Sequence, residues 1–276
     1  MKILGAITVL LCGTLLLSFT SDFSKWGDPT SPASSYLSPY YIEKSIEDTH
    51  VPNVVTAVLA DYRGYDTMFE TTVVFTAGLA CFFLLRRPKN RNPTARYYRH
   101  IATGLTLRVE GGGRIPSHAK HFERIDALWT PYDLIIKNTS RLIIPFIQLF
   151  ALYVVAHGHY SPGGGFQGGV ILGASIILFA ISHDLRAAIA RMGERTTALF
   201  SASGVLLYAG TGAACLLLGA NFLDYSALAP ILGSDVVMAR SYGILIVEIG
   251  VALAVMSVMV WIYYTLSSAG KHDEGL

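Results

Sequence analysis

Charge is scarce in this sequence. Asp, Glu, Lys and Arg make up 14% of the 276 residues, whereas a soluble domain carries roughly 25%. Cysteine is scarcer still. Cys12, Cys81 and Cys215 each lie in an apolar run, and no C-x-x-C occurs. Neither an iron–sulfur nor a nickel–thiolate centre can be assembled from this chain alone, so no cofactor is expected. No G-K-[ST] ending marks a phosphate loop. A nucleophile–base pair and a metal-ligand cluster are also missing, which argues against an enzyme acting in its own right. Alternating strand patterns are absent, and with them the signature of a membrane barrel.

What is present is apolar and arrives in blocks. Hydrophobic residues make up 52% of the chain. Crossing the hydrocarbon core takes about 20 mostly apolar residues in a helix. Six blocks qualify: Ile3–Phe19, Phe69–Leu85, Leu142–Ala156, Gly168–Ile181, Thr197–Leu218 and Tyr242–Leu266. The expected fold is all-α, a polytopic protein of the cell membrane with about six transmembrane helices. A Lys, an apolar run and a polar SFTSD stretch could make the first block a cleaved signal peptide. With only Lys2 as a basic region and no A-x-A-like site, a retained helix is expected.

The basic residues are distributed unevenly. With six crossings, 17 of the 21 Lys and Arg fall on one side, 12 of them between Arg86 and Arg141. Lys25, Lys44, Arg63 and Arg240 fall on the other. The positive-inside rule puts the basic side, with both termini, in the cytoplasm. Three parts follow: a two-helix membrane module over 1–85, a basic cytoplasmic linker over 86–136 and a four-helix membrane module over 137–276. Within the linker, Phe122, Ile125 and Leu128 could share one face of a helix from His118 to Trp129.

Three places could carry chemistry. The first is NVVTAVLADYRGYDTMFE, Asn53 to Glu70. Asn53 can cap a short helix that runs to about Asp61, and Arg63-Gly64 marks a turn. Asp66 or Thr67 can cap the helix that follows. Asp61, Arg63 and Asp66 read either as caps and surface salt bridges or as groups on an ion route. Glu70 opens the apolar run; inside the bilayer it would be functional by default, and at the interface ordinary.

The second is HGHYSPGGGFQGG, His157 to Gly169, on the outer side. So glycine-rich a run cannot form a regular helix, and it permits close approach to another surface. Pro162, Gly163, Gly164, Gly165 and Gln167 belong to this loop, and Gly168 and Gly169 are expected to open the fourth helix. His157 and His159 are poorly spaced for zinc, but imidazoles titrate near neutral pH and could serve an ion route. Gly169 and Gly173 form a small-xxx-small pair suited to close helix packing.

The third is Glu248, well inside the last apolar block. A charge near the bilayer centre costs about 2.5–3.5 kcal/mol even on the mild insertion scale. Such a residue needs a task or a partner. Gln148, midway along the third block, is one possible partner, in which case Glu248 would be helix–helix glue.

The glycine motif, with SRLIIPFIQLFALYVVA before it, resembles the MnhB/MrpB component of the Mrp-type multisubunit sodium/proton antiporters. GILIVEIGVALAV is similar to the final helix of that component, where an acidic residue occupies the Glu248 position. This resemblance covers roughly Tyr132 to Leu266. NVVTAVLADYRGYDTMFETTVVF resembles the C-terminal part of the MrpA component, and equally the corresponding small component of membrane-bound hydrogenases. It covers about Pro52 to Leu85 and brings Asp61, Arg63, Gly64, Asp66 and Glu70 as family-type positions. Phe69 departs from the small residue usual before that Glu.

The resemblance implies an accessory ion-pathway and assembly subunit of a cation/proton antiport module related to the membrane arm of complex I. Its partners would be other membrane subunits of that kind, the lipid bilayer, and Na+ and H+ as transported ions. Nucleic acid is not expected among them. The alternative it implies is a largely structural subunit of an ion-pumping membrane-bound hydrogenase-type complex.

Overall fold

The computed structural model describes residues 2–85, 96–109, 121–125, 134–268 and 270. Ten α-helices are present among these residues: α1 (Lys2–Phe19), α2 (Ser38–Thr49), α3 (Val54–Ala57), α4 (Gly64–Leu85), α5 (Leu134–Ala156), α6 (Gly165–Ser182), α7 (Leu185–Arg191), α8 (Glu194–Leu217), α9 (Ala229–Leu232) and α10 (Val236–Ser267). Six of them, α1, α4, α5, α6, α8 and α10, are long and apolar enough to cross a membrane. All six expected blocks are helical, and the fold is that of an all-α polytopic membrane protein.

The bundle is organised around α10. This 32-residue helix packs against α8, α6 and α4, while α5 packs on α6. Small side chains let the helices approach, as they must where lipid offers no hydrophobic drive for association. A Cβ on Gly204 of α8 would come within 2.5 Å of the Gly250 carbonyl on α10. The expected Gly169–Gly173 pair faces α10 too. Gly169 lies against Ala252 and Val255, and Gly173 against Met256. By contrast, α1 has no buried residue in its apolar span.

All six membrane helices start earlier than their hydropathy blocks. Turn glycines do not end a helix when they stand at its first position, and α4 begins at Gly64 and α6 at Gly165. α5 begins at Leu134 because Lys137, Asn138 and Arg141 are tolerated in its first turns, ahead of the apolar stretch. The segment before Asn53, between the first two apolar blocks, contains α2. Its amphipathic face is short and buries only Ser45 and Thr49.

The linker holds a correction. Phe122–Ile125 is a strand, not part of a helix; 118–120 and 126–129 lie outside the described residues. Three antiparallel strands, β1 (Arg96–His100), β2 (Thr106–Val109) and β3 (Phe122–Ile125), lie in the order β2-β1-β3. Tyr97 pairs with Ile125 and His100 with Phe122. The three-residue spacing of Phe122 and Ile125 fits a helical face by coincidence. Pairing with a distant aromatic strand decides the outcome, and a local window cannot register it.

Candidate functional site

Glu248 occupies a position on α10 where the glycine loop closes over it. The Glu248 residue is 8% exposed. A Cβ on Gly158 would stand 3.0 Å from both of its carboxylate oxygens. A Cβ on Gly164 would overlap Oε1, and one on Gly165 would overlap the Glu248 backbone carbonyl. Only glycine fits these three positions, because Glu248, by its carboxylate at Gly158 and Gly164 and by its backbone at Gly165, occupies the space a side chain would need. Gly164 also has φ +113°, which L side chains rarely adopt. The Gly165 amide, at the start of α6, is directed at the carboxylate. A helix N-terminus favours negative charge there.

The two loop histidines separate. His159 turns inward, its Nε2 3.9 Å from Glu248 Oε2. That is beyond hydrogen-bond distance, and both atoms are buried without a hydrogen-bond partner among the described residues. Burial lowers the His159 pKa below the usual imidazole range, which favours the neutral ring. His157 turns outward and stacks on Tyr153, with ring centroids 4.3 Å apart. Gln148 is not among the residues lining the Glu248 cavity.

Asn53 ties the N-terminal segment to this loop. Its Oδ1 accepts from the Val55 and Thr56 amides and caps α3. Its Nδ2 donates to the Gly158 and Ser161 carbonyls, both at 2.9 Å. The Thr56 hydroxyl also donates to Gly158 O at 2.9 Å, and the Asn53 amide to His159 O. Beyond α3 the chain makes a π-helical turn, Val58–Tyr62, before α4. Two buried tyrosines fasten this turn to the bundle: Tyr225 donates to Ala60 O at 2.9 Å and Tyr208 to Gly64 O at 2.8 Å.

Docked in this way, α4 brings Glu70 to the same cavity as Glu248. The cavity measures about 270 Å³ and is lined also by Thr56, Thr67, Thr71 and Gln167. Of its two carboxylates, Glu70 is exposed and Glu248 buried. Asp61 and Asp66 stand elsewhere. Asp61 forms a buried ion pair with Arg240 of α10, whose Nε donates at 2.9 Å. Burial pushes the Asp61 carboxyl up, while the Arg240 guanidinium draws it back. Asp66 pairs with Arg63 one turn away, on the surface.

A family model described as a domain related to the MnhB subunit of Na+/H+ antiporters matches residues 135–261. A second, MbhE, described as a subunit of MBH, matches residues 4–97. The B subunit of the Na(+)/H(+) antiporter of Bacillus subtilis (strain 168) is 32% identical over 137 residues, covering 49% of this chain and 92% of that protein. The chain belongs to the MnhB family of Na+/H+ antiporter subunits. The structure is also similar to that of the Mrp complex from Dietzia sp. DQ12-45-1b, with a TM-score of 0.59 and 25% identity. That match covers 99% of this chain and 26% of the other. An archaeal membrane-bound sulfane sulfur reductase shares the fold, with a TM-score of 0.53, 24% identity, and 92% and 95% coverage of the two chains.

The MnhB match contains the glycine loop and Glu248, and the MbhE match contains Asn53, Asp61 and Glu70. The cavity therefore sits where the two matched segments meet. Arg240 escaped sequence reasoning, which counted it only as an outer-side basic residue. A lone Arg two residues ahead of a long apolar run was the available signal. Tyr208, inside an apolar block, was another.

Proposed function

We propose that this chain is an ion-pathway and assembly subunit of a multisubunit Na+/H+ antiport module, without a catalytic site of its own. The observation that carries the reading is the shared cavity of Glu70 and Glu248. Two intramembrane carboxylates on one cavity are a costly arrangement to keep unless ions use it. The module over 1–85 contributes Glu70, and that over 137–276 contributes Glu248 and the loop. The basic segment over 86–136 joins them on the cytoplasmic side. Its membrane partners complete the route. Support comes from membership of the MnhB family and from likeness to an Mrp complex.

The deciding experiment is Na+-driven proton transport in inverted vesicles carrying Glu248→Gln, with complex content measured on native gels. Assembled complex with transport lowered at least about tenfold is expected, the loss of an exchangeable charge from a low-dielectric route. Wild-type transport in that variant would remove the reading. A second reading is a mainly structural subunit of an ion-pumping redox complex. The MbhE match over 4–97 favours it. Copurification of a nickel–iron subunit would select it.

A further inference from the structure

We propose that the end of the bundle opposite the glycine loop, where α5, α6 and α7 meet, holds the phosphate of an anionic phospholipid at Arg141 and Arg191, beside His183. This site lies away from the ion route and does not depend on it.

The packing brings basic groups from three elements together. Gly168, near the start of α6, lies against Ala151 and Val155, near the end of α5. The two helices therefore run antiparallel, and Lys137 and Arg141 at the start of α5 come level with the end of α6. That end carries Phe179 and His183, whose rings stack with centroids 4.4 Å apart. α7 then folds back, and its Leu185 and Ala188, with Met192 just beyond, are buried in one apolar cluster with Phe179, Ala180 and Ile144. This sets the Arg191 guanidinium over the Phe179 ring, 4.0 Å from its centroid. Burial, and then the charges of Lys137, Arg191 and Arg141, lower the His183 pKa below the usual imidazole range. The positive-inside bias accounts for basic residues on this side, but not for their convergence around one ring.

Two of these cations are open to a ligand. Arg141 and Arg191 are exposed, and among the described residues neither has a carboxylate partner. The carboxylates nearby in sequence, Asp184 and Glu194, are already engaged, as is Lys137, which adds only its charge. Stacking on Phe179 uses the flat face of the Arg191 guanidinium. Its N–H edge stays available for acceptors, and that edge matches a pair of phosphate oxygens.

The surroundings make the anion a lipid. Leu142 and Phe146 of α5 and Ile181 of α6 are exposed and apolar. They belong to helices long and apolar enough to cross a membrane. A headgroup held at Arg141 lays its acyl chains along these side chains, whereas a free phosphate makes no use of them. Basic pockets between membrane helices on the cytoplasmic side are the general form of such a site.

The test uses the assembled complex in vesicles that contain a trace of phospholipid with a photoreactive acyl chain. The probe is phosphatidylglycerol in one arm and phosphatidylcholine in the other, and cross-linked peptides are quantified by mass spectrometry. Phosphatidylglycerol should label the segment around Leu142 and Phe146 at least about tenfold more than phosphatidylcholine, and Arg141→Gln with Arg191→Gln should remove that preference. Arg195→Gln, at an exposed arginine of α8 that is not among the charges acting on His183, should leave it intact. Excess inorganic phosphate should not compete; competition would make the site one for free phosphate and overturn the lipid. Equal labelling by both probes would mean ordinary annular lipid, and labelling by neither would mean that a partner subunit covers this face. Either result overturns the proposal, as does a preference that survives in the double variant. Should the double variant not assemble, Arg141→Gln read against Arg141→Lys gives the comparison, with the preference weakened in the first and kept in the second.

Discussion

Arg240 on α10 and Asp61 in the π-helical turn form a buried ion pair across 179 residues of sequence. It fastens the segment carrying Glu70 to the helix carrying Glu248, and Tyr62 extends the contact. The Arg240 guanidinium carbon lies 5.7 Å from the Tyr62 ring, and the Tyr62 hydroxyl donates to Asp48 at 2.6 Å. Removing one partner of such a pair leaves an uncompensated buried charge. Arg240→Gln should therefore destabilise the chain by roughly 3–5 kcal/mol. Asp61→Asn together with Arg240→Gln should recover most of that loss, because no charge is then left alone. Thermal unfolding of the complex in detergent measures both. Equal destabilisation by the single and double variants would show that the pair does not act as a unit.

The loop glycines should be intolerant in a graded way set by what a Cβ meets. Gly165→Ala places a methyl on the Glu248 carbonyl, and Gly164→Val adds a β-branch at φ +113°. Gly168→Val drives into Val155 on α5. Each should prevent assembly on native gels, since overpacking at rigid backbone costs at least about 1–3 kcal/mol. Gly210→Ala, with open space around its Cβ, should assemble normally. Normal assembly of all three loop variants would mean that the loop moves away from α10 in the complex.

Asn53 holds the loop through two separable functions. Asn53→Ala removes the α3 cap, worth about 1 kcal/mol, and both amide donors to Gly158 and Ser161. Asn53→Asp keeps the capping oxygen and loses only the donors. Hydrogen exchange of the loop amides should accelerate in both variants, whereas the α3 amides should accelerate only in Asn53→Ala. Protected loop amides in Asn53→Asp would reassign the anchoring to Thr56.

Orientation can be read by labelling. A cysteine at Thr103, in the turn after β1, should react only from the cytoplasmic face, and one at Tyr160 only from the outside. Cys12, Cys81 and Cys215 are replaced first. The motive is the basic excess on one side. Reaction of Thr103→Cys from outside would invert the topology.

Much of the fold was legible in the sequence because hydropathy is a local property summed over a span. The glycine loop and Glu248 were legible separately, one by composition and the other by a charge in an apolar run. Their meeting was not. It depends on α6 and α10 packing side by side, and nothing in either segment encodes that contact alone. Glu70 joining the cavity depends on Asn53, Asp61 and two tyrosines docking a segment more than 80 residues upstream of the loop. Those are long-range hydrogen bonds, invisible to spacing. The strand at Phe122–Ile125 failed for the same reason. Its partner is Arg96–His100, and pairing overrode a helical spacing of two apolar residues.

Glu248 allows a test that separates a titrating carboxylate from a structural one. Glu248→Gln keeps the length and a hydrogen-bonding group but removes the exchangeable charge. Glu248→Asp keeps the charge and withdraws it by one methylene from Gly158, Gly164 and the Gly165 amide. If the carboxylate carries ions, Asp should retain partial transport and Gln almost none. A purely structural bond to the loop predicts the reverse, because Gln reaches the Gly165 amide and Asp does not. Transport measured across a pH series, normalised to assembled complex, gives the order. Glu70→Gln belongs in the same series: at an exposed position it should lower transport less than Glu248→Gln does. Equal loss at both positions would place Glu70 on the route as an obligatory carrier and not as a group that only gathers ions.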